Sequence, residues 1–391
     1  MVNTKKSCPE GKILNPKTNR CIKSKEPKEP KKPKKPKKTK ITESKNIIKF
    51  YDRTTYGKKL MKKLKLKKKN NYCMNIYIKD DNRANIKYII NDKIILEKEI
   101  KTDGRTYIIY LAYYKDNKKD KFLVKIYAVD KYIKLSEDAN ISKKLSDMVI
   151  KDKCPHFPVV YDKLICNNFK LIHNEFESEY KLFPSLIQNK EYQISLLREV
   201  YDGNIVMFIE KNCKKTSLIE NALVQVFISL MFFYKEINRL YNNFYSNENL
   251  IYRKIKPGGY FHYKILDKDY YIENLGYIWM IDEFNHILSN SNNSDIRNEF
   301  NNLIKIFTNS KSKFKNTLSN KIDEILKKYN QPPRIDFTGK NLNDFINNIL
   351  LIFNDYKIIK TEDEIDKKQK IINETPYTII PKIPKDIYLF R

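Results

Sequence analysis

The sequence predicts an α+β protein of two lobes, the first rich in strands and the second helical, behind a disordered, basic N-terminal tail. Three observations carry this. Between residues 72 and 129, short runs rich in Ile, Val and Tyr alternate with polar turns, the pattern of successive strands. From Ser217 onward the pattern turns helical, led by the apolar run "ALVQVFISLMFFY" at 222–234. Residues 25–40, "KEPKEPKKPKKPKKTK", hold no apolar side chain to bury, so they read as an extended, solvated linker.

In chain order, residues 1–24 form a short cysteine-bearing segment, 25–45 the Lys/Pro linker, 46–71 a basic extension, 72–211 the strand-rich lobe and 212–391 the helical lobe. The chain has 391 residues, 41% of them hydrophobic and 13% aromatic, enough to build a real core. The run at 222–234 is interrupted by Gln225 and Ser229 and reads as too short and too polar to span a bilayer. The start, "MVNTKKSCPEGK", lacks the apolar centre of a signal peptide. No transmembrane segment and a cytosolic site of synthesis are therefore expected.

The net charge of +30 points first to nucleic acid, with the salt dependence that phosphate contacts bring. A chain dominated by Lys, Asn, Ile and Tyr, with 8 Gly and 1 Trp, also suits an AT-rich genome, where lysine is mostly solvated surface. Residues 1–40 carry 15 Lys plus Arg against 3 acids, so charge density is concentrated in the tail. A second basic run, "KKLMKKLKLKKK" at 58–69, reads as a solvated helix face before it reads as an amphipathic helix for a membrane or partner. Nucleic-acid binding, if it occurs, belongs to 25–69.

The strand readings are "YCMNIYIKDD", "IKYIIND", "KIILEKEI", "RTYIIYLAYY" and "KFLVKIYAV". The segment "LSEDANISKKLSDMVIKDKCPHFPVVYD" then reads as helix, loop and strand, and "NIVMFIE" as an apolar strand ending at Glu210. Ser217 with Glu220 has the spacing of a capping box, opening a helix that runs towards Leu240 and into a polar loop.

Two cysteines, Cys8 and Cys21, flank a turn-rich stretch in "SCPEGKILNPKTNRCIK". This string closely resembles the 2-cysteine adaptor of nucleocytoplasmic large DNA viruses, which occurs fused to protein kinases and to ovarian-tumour-type cysteine peptidases. A peptidase requires a Cys nucleophile beside a His base. None of Cys73, Cys154, Cys166 and Cys213 lies in a Gly-flanked turn opening a helix, and Cys154 stands two residues from His156, where neighbouring side chains diverge.

The body resembles the kinases of these viruses from about 72 to 286, most densely over 241–285. That resemblance implies a two-lobed kinase-like fold. It places Lys125, in "FLVKIYAV", at the nucleotide phosphates, with Glu137 or Asp138 as its ion-pair partner. It implies Gly104 as the remnant of a glycine-rich phosphate loop, and Glu210 at the hinge beside the nucleotide. Asn249 matches the metal-binding Asn; counted back from it, the catalytic Asp position falls on Phe244, preceded by Asn242 and Asn243. Glu283, in Glu283-Phe284-Asn285, stands where the metal-binding Asp belongs, with Asp282 as its neighbour. No Asp occurs between Asp202 and Asp267, so no shift of register restores the base.

Loss of a general base typically costs ~10² to 10⁴ in rate. The expectation is accordingly a pseudokinase that binds a viral or host protein, with ATP and Mg held weakly or not at all. A slow serine/threonine kinase and a basic nucleic-acid-binding or virion packaging protein are the alternatives. The resemblance also implies host cytoplasm, a viral factory or the particle as its location.

Overall fold

The chain divides into two units, Met1–Lys40 and Ile41–Arg391. The computed structural model describes residues 12–15, 20–23, 52–64, 72–78, 86–102, 107–129, 132–167, 190–212, 214–237, 247–284, 340–373 and 376–380, with a few single positions between them. In the first unit, β1 (Lys12–Asn15) and β2 (Arg20–Lys23) form an antiparallel hairpin that sets Leu14 opposite Cys21. The expected tail therefore contains regular structure at its cysteine-bearing end. Cys21 is disulfide-bonded, and Cys8 lies outside the described residues.

The second unit opens with helix α1 (Asp52–Leu64). Its lysines Lys58, Lys59 and Lys62 are exposed, as a solvated face requires, while Arg53, Gly57 and Leu60 are buried. That spacing of four and three lines one face of a helix, and it packs against β8 (below). A Cβ on Gly57 would meet the Tyr161 ring at 3.1 Å. The basic extension is thus partly a docked element of the body.

Strands β3 (Met74–Ile78), β4 (Lys87–Ile90), β5 (Ile94–Thr102), β6 (Tyr107–Tyr114) and β7 (Asn117–Val129) follow. They form because β-branched and aromatic side chains suit a pleated, half-buried surface. Asn91 and Asp92, both at φ 53°, give the left-handed turn that joins β4 to β5, a conformation their short polar side chains tolerate. After helix α2 (Tyr132–Ile150) come β8 (Val160–Cys166) and β9 (Tyr192–Arg198). All seven strands make one antiparallel sheet in the order β3-β4-β5-β6-β7-β9-β8.

The sheet curls until its edges meet. The β3 backbone N–H of Met74 donates to the Gln193 side chain on β9 (3.0 Å). Cys73 and Cys166, at opposite edges, are joined by a disulfide with Cα atoms 4.8 Å apart.

The expected strand ending at Glu210 is a correction. After the short β10 (Gly203–Asn204), residues Ile205–Asn212 form helix α3. Its buried Ile205, Phe208 and Ile209 have helical spacing, and Asn204 caps it by accepting from the Met207 N–H (3.1 Å). The strand that ends this half is β9.

Helix α4 (Thr216–Ile237) begins one residue before the expected capping Ser217. By length and composition it could cross a membrane, yet 78% of its apolar window is buried within the protein. Its polar residues explain why. Gln225 accepts from the Trp279 N–H (3.0 Å) and donates to the Tyr277 carbonyl (3.1 Å), and Ser229 donates to the Gln225 carbonyl.

Among the described residues the second half holds more strands than expected, and α4 precedes β11 (Leu250–Lys254), β12 (Tyr260–Ile265), β13 (Lys268–Glu273) and β14 (Tyr277–Ile281), packing on the last. Helix α5 (Lys340–Asp355) follows, and β15 (Tyr377–Ile380) adds in parallel to β12. The β12–β13 hairpin is entered through Gly259 at φ 80°, where a Cβ would lie 2.2 Å from the Lys370 carbonyl oxygen; no larger residue fits.

Candidate functional site

Lys125 points from β7 into a buried knot of charge. Its ammonium donates to Asp138 on α2 (3.1 Å) and to Glu283, which follows β14 (2.8 Å). All three side chains are at most 3% exposed. The Tyr107 and Tyr127 rings close over the nitrogen, with centroids 4.2 and 4.9 Å away. Such contacts gain strength when the cation is desolvated. Tyr127 also donates its hydroxyl to Asp138 (2.6 Å), and the second Asp138 oxygen accepts from the Phe284 N–H (3.0 Å).

Of the two expected partners, Asp138 is therefore the one that meets Lys125. Glu137, one residue earlier on the helix, faces outward and pairs with Arg239 at the surface. Neighbouring helical positions diverge by about 100°, so only one of two adjacent acids reaches the sheet.

Beside this knot, Arg198 holds Asp282 through two N–H···O bonds, one of 2.9 Å. Tyr241 donates its hydroxyl to the Asp282 carbonyl. The Asp282 N–H donates to the main-chain oxygen of Asn249 (3.0 Å), itself buried. Glu283 takes a left-handed backbone, φ 69°, uncommon outside glycine and a marker of functional or strained positions.

The electrostatics follow from this packing. Burial alone would lower the Lys125 ammonium, but Asp138, Glu283 and Asp282 outweigh it and hold it above its ordinary value. Burial opposes ionisation of Asp282 as well, yet Arg198 and Lys125 keep it below the usual carboxylate range. Glu283 goes the other way: burial, with Asp282 and Asp138 nearby, raises it against the pull of Lys125.

Structure thus brings Lys125, Asp138, Glu283 and Asn249 to one place. Glu210 is not among them; it is exposed on α3, because the segment is a helix and not the end of a strand. Gly104, Phe244, Asn242, Asn243 and Asn285 lie outside the described residues. Tyr107, Tyr127 and Arg198 were not foreseen. Their signal is faint, since a Tyr or Arg in a strand is ordinary; only the partner across the fold gives it meaning.

Lys125 and Arg198 bond the carboxylates of Asp138, Glu283 and Asp282, and two tyrosine rings cover the Lys125 nitrogen. Among the described residues, no group of three His, Cys, Asp or Glu side chains is disposed to hold a metal ion. The gap beside the knot, lined by Ser142, Phe157, Val160, Leu196, Asp282 and Phe284, encloses about 10 Å³, room for one water.

A second buried constellation was also unforeseen. Arg53 of α1 grips Glu199 through Nε and Nη2 (3.0 and 2.6 Å) and donates to the carbonyls of Pro155 (2.8 Å) and Phe157 (3.0 Å). Glu199 also accepts from the Val159 N–H (2.8 Å). Between those carbonyls, His156 sits 2.8 Å from the Trp279 carbonyl through Nδ1 and 2.8 Å from the Tyr263 hydroxyl through Nε2. A carbonyl only accepts, so Nδ1 carries the proton and Tyr263 donates to Nε2. Burial pushes His156 down to about 3 and Cys154 well up. Both are fixed in the core, neither as base nor as nucleophile.

Compared with protein families and with curated proteins, the chain matches none.

Proposed function

We propose that this chain is a kinase-like protein that no longer transfers phosphate and acts as a binding or scaffolding module. The observation that carries this reading is the sealing of Lys125 by Tyr107 and Tyr127 with both Asp138 and Glu283 bonded to it. A working kinase lysine keeps one helix carboxylate as its partner and turns its remaining donors to phosphate; here Glu283 and the two tyrosine rings take those remaining directions. The curled sheet, the helix bearing Asp138 and the turn bearing Glu283 are what a kinase-like two-lobed arrangement would need, and they support that finer fold reading.

The partner is a viral or host protein, met in host cytoplasm, a viral factory or the particle, with the cysteine-bearing N-terminal segment as a second contact. The test is transfer of labelled γ-phosphate to a generic basic substrate and to the chain itself. No transfer above background is expected, and Phe244→Asp alone restores none. Robust transfer that vanishes in Lys125→Ala would overturn the reading.

A further inference from the structure

The two edge strands of the seven-stranded sheet, β3 and β8, are the ends at which a sheet ordinarily stays open. Here they are joined. Cys73 precedes Met74, the first residue of β3, and Cys166 is the last residue of β8; 93 positions separate them in sequence. Cys166 stands opposite Gln193 in the β8–β9 register, and Gln193 accepts from the Met74 N–H while donating to Ser195. The bridge and the Gln193 bond therefore close the same seam. Helix α1, just upstream of β3, packs on β8, so α1 lies at one edge of the sheet and β3 at the other.

We propose that the Cys73–Cys166 disulfide is a redox latch that closes the sheet into a barrel and holds β3 in place. Reduced, the two thiols are brought together by folding, since the strands approach whether or not sulfur is bonded. Oxidation proceeds by thiol–disulfide exchange with a disulfide oxidant, either glutathione disulfide or the disulfide of a thiol oxidase. One thiolate attacks the oxidant and expels one thiol; the second thiolate then attacks the mixed disulfide and expels the other. One S–S bond forms in the protein, one breaks in the oxidant, and two protons and two electrons pass to the oxidant's sulfurs. The closed form is the one an oxidising compartment would accumulate; in a reducing cytosol the Met74–Gln193 bond remains across the seam. Cys154, buried and free, takes no part.

The measurement is hydrogen exchange on the full chain, after glutathione disulfide and after reductant, with the state of each thiol fixed by alkylation and mass spectrometry. Reduction should speed exchange of the 74–78 amides by at least about tenfold, the signature of a local opening made easier, while amides of 107–114 stay unchanged. The variant Cys73→Ser/Cys166→Ser should match the reduced chain under either condition. Equal exchange at 74–78 in oxidised and reduced protein would overturn the latch. So would recovery of Cys73 and Cys166 as free thiols after glutathione disulfide treatment of the folded chain.

Discussion

Two buried ion clusters hold this protein together, and they are built on opposite plans. The Lys125 cluster joins a cation to carboxylates and aromatic rings, all from side chains. The Arg53 cluster joins a cation to one carboxylate and to main-chain carbonyls of the loop 155–157, with His156 locked between them. In the first, charge remains in excess: Asp138, Glu283 and Asp282 face Lys125 and Arg198, and Glu283 is pushed towards its neutral form. In the second, one guanidinium and one carboxylate satisfy each other and burial costs are offset by fixed dipoles. The lesson is that the balanced Arg53 pair and the acid-rich Lys125 group should differ in tolerance to change, which depends on how many partners remain.

The comparison predicts the largest effect at Arg53. Arg53→Ala strands Glu199 in the core, and breaking a buried pair in this way costs about 3–5 kcal/mol; urea unfolding of the variant against wild type measures it. Glu199→Gln should be milder, because the amide still accepts from Arg53. A loss below 1 kcal/mol for Arg53→Ala would mean that α1 is dispensable to the body.

Lys125→Met should cost less, about 2–3 kcal/mol, since Glu283 can take up a proton and so relieve the uncompensated charge. The change should lower the urea midpoint, and an unchanged midpoint would reverse the structural assignment.

pH separates His156 from Glu283 by sign. Unfolded His156 titrates near 6.5 and the folded imidazole near 3, so the unfolded state binds the proton that the native state refuses. Stability is complete above about pH 6.5 and falls towards pH 3, by about 1.4 kcal/mol per unit in mid-window. Glu283 opposes this: its raised folded value means the native state protonates first, adding stability as pH falls. Asp282, lowered by Arg198 and Lys125, contributes above its unfolded value and is lost only in stronger acid. Urea midpoints between pH 7.5 and 5 should show the His156 slope in wild type and a flatter one in His156→Gln.

The smallest effect is expected at Glu137. Its pair with Arg239 is surface-exposed, and Glu137→Ala should change stability by under about 0.5 kcal/mol. Asp138→Ala, one position on, should behave like Lys125→Met. Equal losses at both positions would erase the distinction between them.

Particular residues show how much could be read beforehand. The strands of 74–129 were legible because alternation and turn residues such as Asn91-Asp92 act locally. Lys125, Asn249 and Glu283, with Glu137 or Asp138, came from the resemblance and not from composition or spacing, and Lys125, Asp138 and Glu283 do meet; which of Glu137 and Asp138 turned inward was not legible, because that depends on helix phase against the sheet. The segment 204–210 misled because an apolar run serves strand and helix alike, and the decisive cap at Asn204 is one ordinary residue. Gln225 and Ser229 stood out as polar breaks in the apolar run, though what Gln225 does there, bonding the edge of β14, needs the fold. Arg53 carried no signal at all: its partners are backbone carbonyls a hundred residues away in sequence, and Cys73 with Cys166 likewise required the sheet's edges to meet.

Central to the proposed function is that the fold's own side chains take up Lys125 and leave it no nucleotide to bind. Isothermal titration of the full chain with Mg-ATP tests it most directly. The account predicts no saturable heat up to millimolar ligand, equivalent to a binding free energy weaker than about −4 kcal/mol, and no difference between wild type and Lys125→Met once both are folded. Saturable micromolar binding in wild type that disappears in Lys125→Met would contradict it, and would make Lys125 a ligand contact instead of a buried strut.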